Sequence, residues 1–285
     1  MNFNVYSDIE SIIEILGITQ EEFAKGIGVS RASVNNWLTG KNSISENSTK
    51  QIYEYAFKKG IRLNKIKEQL YIEDYVGKDE VLLFHGAKTK LEGAPDLAHN
   101  KDINDFGNGF YCGDNLEQSA MFVAAYPSSS LYMVKFKGTG LRKCEFEVDR
   151  EWMLTVAYHR GRLKKYEDTR IVKELVKGLG GKDYIVAPIA DNRMFEIIDS
   201  FIDGEITDVQ CKHCLAATNL GKQYVFVTQR ALDKVTLLER CFLVEDEKDY
   251  YLRSRQESFQ MNQDKVKLAR KQYRNQGKYI EDILK

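Results

Sequence analysis

Near residue 78 the apolar pattern of this chain changes period, and that change calls for two units of different class. From residue 9 to about residue 63 apolar residues recur three and four apart, as in Ile12, Ile13, Ile15 and Leu16, then Phe23 and Ile27. That spacing lines one face of short amphipathic helices. Beyond Lys78 the apolar residues gather in short runs rich in β-branched and aromatic types, at 81–84, 131–136, 144–148, 184–186, 224–227 and 241–244. Such runs read as strands. Helical periods intervene at 116–125, 168–179 and 194–202, so the larger unit is α+β. The expected division is an all-α unit over 1–75 that includes a linker helix, a main domain over 76–245, and a charged helical extension over 246–285.

With 43% hydrophobic and 29% charged residues in 285, the chain has the composition of folded domains and is long enough for two of them. No apolar run approaches the ~20 residues that span a bilayer, so no membrane partner is expected. The five cysteines, Cys112, Cys144, Cys211, Cys214 and Cys241, are odd in number and sparse, which fits a reducing, cytoplasmic setting. The formal net charge is zero, so attraction to nucleic acid must come from a local patch.

Residues 18–37 carry two helix starts. Thr19 followed by Glu22 forms a capping box, Ser30 caps a second helix, and Gly28 between them permits a sharp turn. Ala24, Ile27, Val29, Val34 and Trp37 supply a shared core. The arrangement resembles the repressor-type (XRE/Cro-like) helix-turn-helix family, which implies a recognition helix over about Arg31–Leu38. On that resemblance Arg31, Ser33, Asn35 and Asn36 face DNA, since such side chains pair with base edges and phosphates. Residues 1–75 hold nine Lys and Arg against ten Asp and Glu, a net −1 that also leaves a protein-contact use of the fold open.

Three separated motifs bear on chemistry: Leu82-Leu83-Phe84-His85-Gly86, Asp105-Phe106-Gly107-Asn108-Gly109-Phe110-Tyr111 with Ser119 and Phe122 downstream, and Gly221-Lys222-Gln223-Tyr224-Val225-Phe226. Singly each has a plain structural reading as a strand end, a turn or a strand. In this order and spacing they resemble the diphtheria-toxin-like branch of the ADP-ribosyltransferase superfamily, over about residues 81–238, and within it a bacterial family long without an assigned function. The resemblance implies a split β-sheet with flanking helices and a cleft for NAD+, which is the substrate; no metal is expected.

By the family's pattern the catalytic positions are His85, Tyr111 and Gln223, and His85, Gly86, Phe106, Gly107, Gly109, Tyr111, Ser119 and Phe122 line the NAD+ cleft. Gly86 lets its backbone approach the nicotinamide amide, His85 bonds a ribose hydroxyl, Tyr111 packs on the nicotinamide ring, and Ser119 binds the carboxamide. Phe122 follows Ser119 by three residues, hence on one helix face, and keeps a π-surface. Gln223 stands where the family most often has a glutamate. An amide can bond the ribose hydroxyl yet gives no negative charge to the oxocarbenium-like transition state. That favours transfer of a single ADP-ribose unit over chain elongation. The Glu-x-Glu pattern of arginine-specific transferases is missing, and Glu196 is a secondary candidate that reads more simply as an exposed helix acid.

Cys211-Lys212-His213-Cys214 has the spacing of a zinc half-site, but no second pair follows, so a helical cysteine pair is the expectation. His99 and His159 have no motif around them. Gly178-Leu179-Gly180-Gly181 lacks the Lys-Ser/Thr of a phosphate loop. The basic C-terminal segment reads as a solvated helix face.

Three functions are carried forward. The first is a mono-ADP-ribosyltransferase acting on a protein or nucleic-acid acceptor, as a toxin or defence effector whose helix-turn-helix represses its own operon; an antitoxin is then a further partner. The second is a DNA-binding regulator with a degenerate NAD+ or nucleotide sensor. The third is NAD+ hydrolysis without a macromolecular acceptor.

Overall fold

The computed structural model describes residues 3–97, 104–218 and 221–285. Five helices open the chain: α1 (Val5–Leu16), α2 (Gln20–Gly26), α3 (Arg31–Leu38), α4 (Glu46–Lys58) and α5 (Leu63–Asp74). The expected caps form. Thr19 Oγ1 accepts from the Glu22 N–H at 3.2 Å while Glu22 Oε2 accepts from the Thr19 N–H at 2.8 Å, and Ser30 Oγ accepts from the Ser33 N–H at 3.1 Å. Gly28 takes a φ of 74°, a left-handed conformation that turns α2 into α3. Phe23, Ala24, Ile27, Val34 and Trp37 are buried between the helices, so residues 20–38 form a helix-turn-helix.

The second unit is built on one sheet of seven strands: β1 (Glu80–Ala87), β2 (Phe110–Gly113), β3 (Ser130–Lys137), β4 (Lys143–Glu145), β5 (Tyr184–Pro188), β6 (Lys222–Phe226) and β7 (Val235–Cys241). Their spatial order is β4-β5-β6-β2-β1-β3-β7, antiparallel throughout except for the parallel β4–β5 pair. The seven strands form one continuous sheet, in which the β1–β2 pairing is the shortest. Among the described residues β1 pairs with β3 along its whole length, from Glu80 with Lys137 to Ala87 with Ser130, but joins β2 only where Phe84 meets Gly113. The cause is local: β2 has four residues, and Asn115 at once caps the next helix by accepting from the Gln118 N–H, which takes the chain out of the sheet.

Among the described residues eight helices cover the sheet: α6 (Leu116–Val123), α7 (Arg150–His159), α8 (Arg170–Leu179), α9 (Asn192–Ile202), α10 (Asp208–Ala216), α11 (Gln229–Leu232), α12 (Glu245–Gln272) and α13 (Ile280–Ile283). On one face α6 and Tyr251 of α12 pack over Leu82, Phe84, Leu131 and Met133. Further along that face Ile185, Ala187 and Val225 lie under a core drawn from α7 to α10. The opposite face carries Leu83, Phe110, Tyr132, Phe136 and Phe226, closed by Ala231 and Leu232.

Toward the C-terminal end the fold differs from the sequence expectation. The last strand runs from Val235 to Cys241 rather than over 241–244, because Phe242 and Val244 leave the sheet to pack with the N-terminal helices. Residues 246–285 are helical but not an appendage. Ile280, Ile283 and Leu284, at the spacing of one helix face, are buried in the core with α7 to α10.

The two units are joined by buried polar contacts as well as apolar ones. Tyr53 stacks on Phe242 with ring centroids 4.5 Å apart, and Asn64 Nδ2 donates to the Phe242 carbonyl at 2.9 Å. Lys67 bridges the buried carboxylates of Asp8 and Glu239, with the Tyr53 hydroxyl donating to Asp8 at 2.5 Å and the Tyr71 hydroxyl to Glu239 at 3.0 Å. Burial raises the Asp8 pKa above the usual carboxylate value even though Lys67 opposes the shift.

Candidate functional site

Gln223 pairs across β6 with Gly113 of β2, and Gly113 pairs with Phe84 of β1, so side chains at these positions share one face of the sheet. Counting on by two from that pair puts Gly86 and Tyr111 on the same face. This is the stretch between the two helical packs, where the β1–β2 seam opens. Ser119 on α6 looks into it: a Cβ added at Gly113 would stand 2.8 Å from Ser119 Oγ. A Cβ at Gly86 would meet Val123 Cγ1 at 2.7 Å, the Ser119 carbonyl at 3.3 Å and Phe122 Cδ1 at 3.4 Å. Glycine at 86 is thus demanded by the approach of α6 alone, and it leaves bare backbone beside a half-exposed Phe122 ring.

His85 turns to the other face. Its ring stacks on Phe110 at 4.1 Å and 20°, and Nδ1 lies 2.7 Å from the Tyr111 carbonyl. A carbonyl can only accept, so Nδ1 carries the proton and Nε2 keeps its lone pair. This bond spans the seam where the β1–β2 ladder has stopped. Burial pushes the His85 pKa down to about 4, so the ring is neutral at physiological pH.

The glycine motif builds the loop beside this stretch. The Tyr111 hydroxyl donates to the Gly107 carbonyl at 2.8 Å and accepts from the Phe106 N–H at 3.1 Å, and burial raises its pKa. Gly107 has a φ of 73°, and a Cβ on it would stand 3.0 Å from His159 Nδ1. At Gly109 a Cβ would meet Val225 Cγ1 at 2.7 Å. Phe106, expected to line a cofactor cleft, is instead buried against Phe146 with ring centroids 5.4 Å apart, because it fills the core beneath α7.

Gln223 is 6% exposed and held by two hydrogen bonds from Nε2, to Asp105 Oδ2 at 2.8 Å and to the Pro188 carbonyl at 2.9 Å. Asp105 is itself buried and fully engaged. Arg160 donates to its Oδ1 from Nε at 2.9 Å and from Nη2 at 2.5 Å, and the Ala190 N–H donates to Oδ2 at 3.1 Å. Arg160 Nη2 also donates to the Ala190 carbonyl at 2.6 Å, with the guanidinium over the Phe195 ring at 4.2 Å. Sequence reasoning missed this network. Asp105 opens the quoted glycine motif, but its partners lie 55 to 118 residues away and carry no local signature.

The remaining candidates fall elsewhere. Glu196 is exposed on α9, and His99 lies outside the described residues. His159, set aside on sequence, stands beside the Gly107 turn; burial lowers its pKa, and its Nε2 is buried with no hydrogen-bond partner among the described residues. Cys211 and Cys214 are buried on α10, their thiols facing the Ile197 and Val266 carbonyls at 3.6 Å each. Among the described residues no group of three or more His, Cys, Asp and Glu is placed to hold a metal ion. No helix among them is long and apolar enough to cross a membrane.

On α3, Arg31 and Asn35 are exposed, whereas Ser33 and Asn36 are half-buried. The Ser33 hydroxyl lies 2.9 Å from Ser30 Oγ, which ties it to the helix cap. Arg31 and Asn35 are therefore the more exposed of the four.

Fold and site together define a two-part protein: a helix-turn-helix DNA-binding domain joined to an α+β domain whose sheet opens at a glycine-edged seam. The chain belongs to the family described as protein of unknown function (DUF3990), whose model matches residues 81–237, and a helix-turn-helix family model matches residues 9–48. No curated protein and no solved structure matches it.

Proposed function

We propose that the sheet domain is a mono-ADP-ribosyltransferase that cleaves NAD+ at the nicotinamide–ribose bond and passes ADP-ribose to a protein or nucleic-acid acceptor. The observation that supports this reading is the seam itself, where Gly86, Tyr111, Ser119 and Gln223 converge on one face between two helical packs. In this reading the Gly86 backbone and Ser119 hydroxyl meet the carboxamide, and Tyr111 and Phe122 flank the ring. Gln223 accepts from the nicotinamide-ribose hydroxyl, and His85 Nε2 accepts from a ribose hydroxyl at the edge of the seam. Phe106, Gly107 and Gly109 shape the loop beneath rather than touch the ligand.

The C1′–N1 bond breaks with its electron pair leaving on the nicotinamide nitrogen. An acceptor lone pair then forms the new bond at C1′, and the acceptor's proton goes to solvent. The transition state has oxocarbenium character. A neutral imidazole and a neutral amide stabilise it by orientation and dipoles, without a full negative charge. Transfer of one unit follows. The helix-turn-helix, with Arg31 and Asn35 outward, represses the protein's own operon, the arrangement of a toxin or defence effector with an antitoxin partner.

The neutral amide at 223 also favours a second reading, a regulator whose sheet domain binds NAD+ without cleaving it. Incubating the protein with adenylate-labelled NAD+ and a cell lysate, with His85→Ala alongside, separates the two. Label on protein or nucleic acid, lost in the variant, supports the transferase. NAD+ binding without nicotinamide release supports the sensor.

A further inference from the structure

We infer that Asp105, anchored by Arg160 and the Ala190 N–H, is the positioning residue that turns the Gln223 amide so that Oε1 is presented to the cleft. The inference rests on the transferase reading and deepens it. Both partners of Gln223 Nε2 are pure acceptors, a carboxylate oxygen at 2.8 Å and a backbone carbonyl at 2.9 Å. Only the NH2 end of the amide can face them, so its orientation is fixed by chemistry. The carbonyl oxygen then points away from Asp105 as an acceptor.

The support is rigid. Asp105 Oδ1 takes two donors from Arg160 and Oδ2 takes the Ala190 N–H, so the carboxylate cannot rotate to release Nε2 without breaking an ion pair with little exposure to water. Arg160 balances the charge of Asp105, so the pair adds no net negative field and acts on Gln223 through geometry. The same arrangement explains why 223 is not a glutamate. A carboxylate there would set its inner oxygen against the Asp105 carboxylate and the Pro188 carbonyl, both electron-rich. Gln223 is therefore the residue this pocket is built for, not a decayed carboxylate.

The test uses the full chain and nicotinamide release from NAD+ with water as acceptor, comparing wild type, Asp105→Asn, Gln223→Glu and the double variant. NAD+ affinity is followed by calorimetry and folding by thermal unfolding. In Asp105→Asn the two Arg160 donors keep the amide oxygen, so the NH2 falls at the Oδ2 position, against the Gln223 amide and at the cost of the Ala190 N–H bond; Gln223 then turns a donor to the cleft, and kcat falls about 10²-fold with KM for NAD+ changed less than about threefold. Gln223→Glu lowers kcat in the wild-type background but raises it at least about tenfold in the Asp105→Asn background, where the inner carboxylate oxygen can accept from the new NH2. Either role costs stability, because Arg160 loses its counter-charge, but a merely structural Asp105 would lose NAD+ affinity with it and show no such reversal of sign. An active wild type whose Asp105→Asn variant retains kcat, or variants without the reversal, overturns this inference alone. A wild type that does not cleave NAD+, whether or not it binds it, overturns the transferase reading and this inference with it.

Discussion

Gln223→Glu exchanges one NH2 for an oxygen, and the surroundings of that atom set the cost. In the native protein Nε2 donates to Asp105 Oδ2 and to the Pro188 carbonyl, and the side chain is 6% exposed. An ionised carboxyl there loses both bonds and faces two acceptors, so it takes up a proton instead. Protonation above the unfolded-state pKa of about 4.3 costs about 1.4 kcal/mol per pH unit, and this caps the penalty at about 4 kcal/mol at pH 7.5. The protonated acid has one donor where the amide had two, which adds about 1 kcal/mol at every pH. The folded-state pKa of the introduced acid is raised, so its penalty is small below pH 4.3 and grows as pH rises, levelling off once the folded form also ionises. The stability lost relative to wild type should be about 2 kcal/mol at pH 5 and about 5 kcal/mol at pH 7.5. Urea unfolding of both proteins at each pH reads this difference. A loss below about 1 kcal/mol that does not change with pH would show that Gln223 does not face Asp105 as described.

Other perturbations follow the same contacts. Lys67→Met leaves Asp8 and Glu239 buried without their cation and should cost about 3–5 kcal/mol in urea unfolding. That loss should be larger at pH 8 than at pH 5, because Asp8 already has a raised pKa and protonation at low pH relieves it. Gly86→Ala drives a methyl to within 2.7 Å of Val123 Cγ1 and should destabilise by about 1–3 kcal/mol, with Val123→Ala restoring part of the melting temperature. Equal melting temperatures for Gly86→Ala and wild type would contradict the packing of α6 on β1. Arg31→Ala and Asn35→Ala should each weaken binding to operator DNA by about 1–3 kcal/mol in a gel shift without altering unfolding. Unchanged binding in both would remove α3 as the reading helix.

The helix-turn-helix was legible because its signals are local: Thr19, Glu22, Gly28 and Ser30 act within a few residues of one another. Strands β1 and β3 were legible for the same reason, as long runs of strand-forming residues. Strand β2 was not, since its four residues sit inside a glycine motif that reads as a turn. Helix α7 escaped the periodicity because Trp152 through Ala157 are all buried, which leaves no polar face to mark a period. The C-terminal segment looked solvated by composition, yet three apolar residues at its end suffice to dock it. Glycines 86, 107 and 109 stand in the quoted motifs, and the structure gives each a packing reason too, as it does Gly113. The Asp105–Arg160–Gln223 network had no sequence signal, because it is made entirely by tertiary contacts.

Nicotinamide release from NAD+ by the purified full chain, with Gln223→Ala as a variant whose folding is checked by its melt, tests the transferase reading of the sheet domain. Steady release by the wild type, reduced about 10²-fold in the variant, is the expected result. No release by the wild type, with or without NAD+ binding, would contradict it.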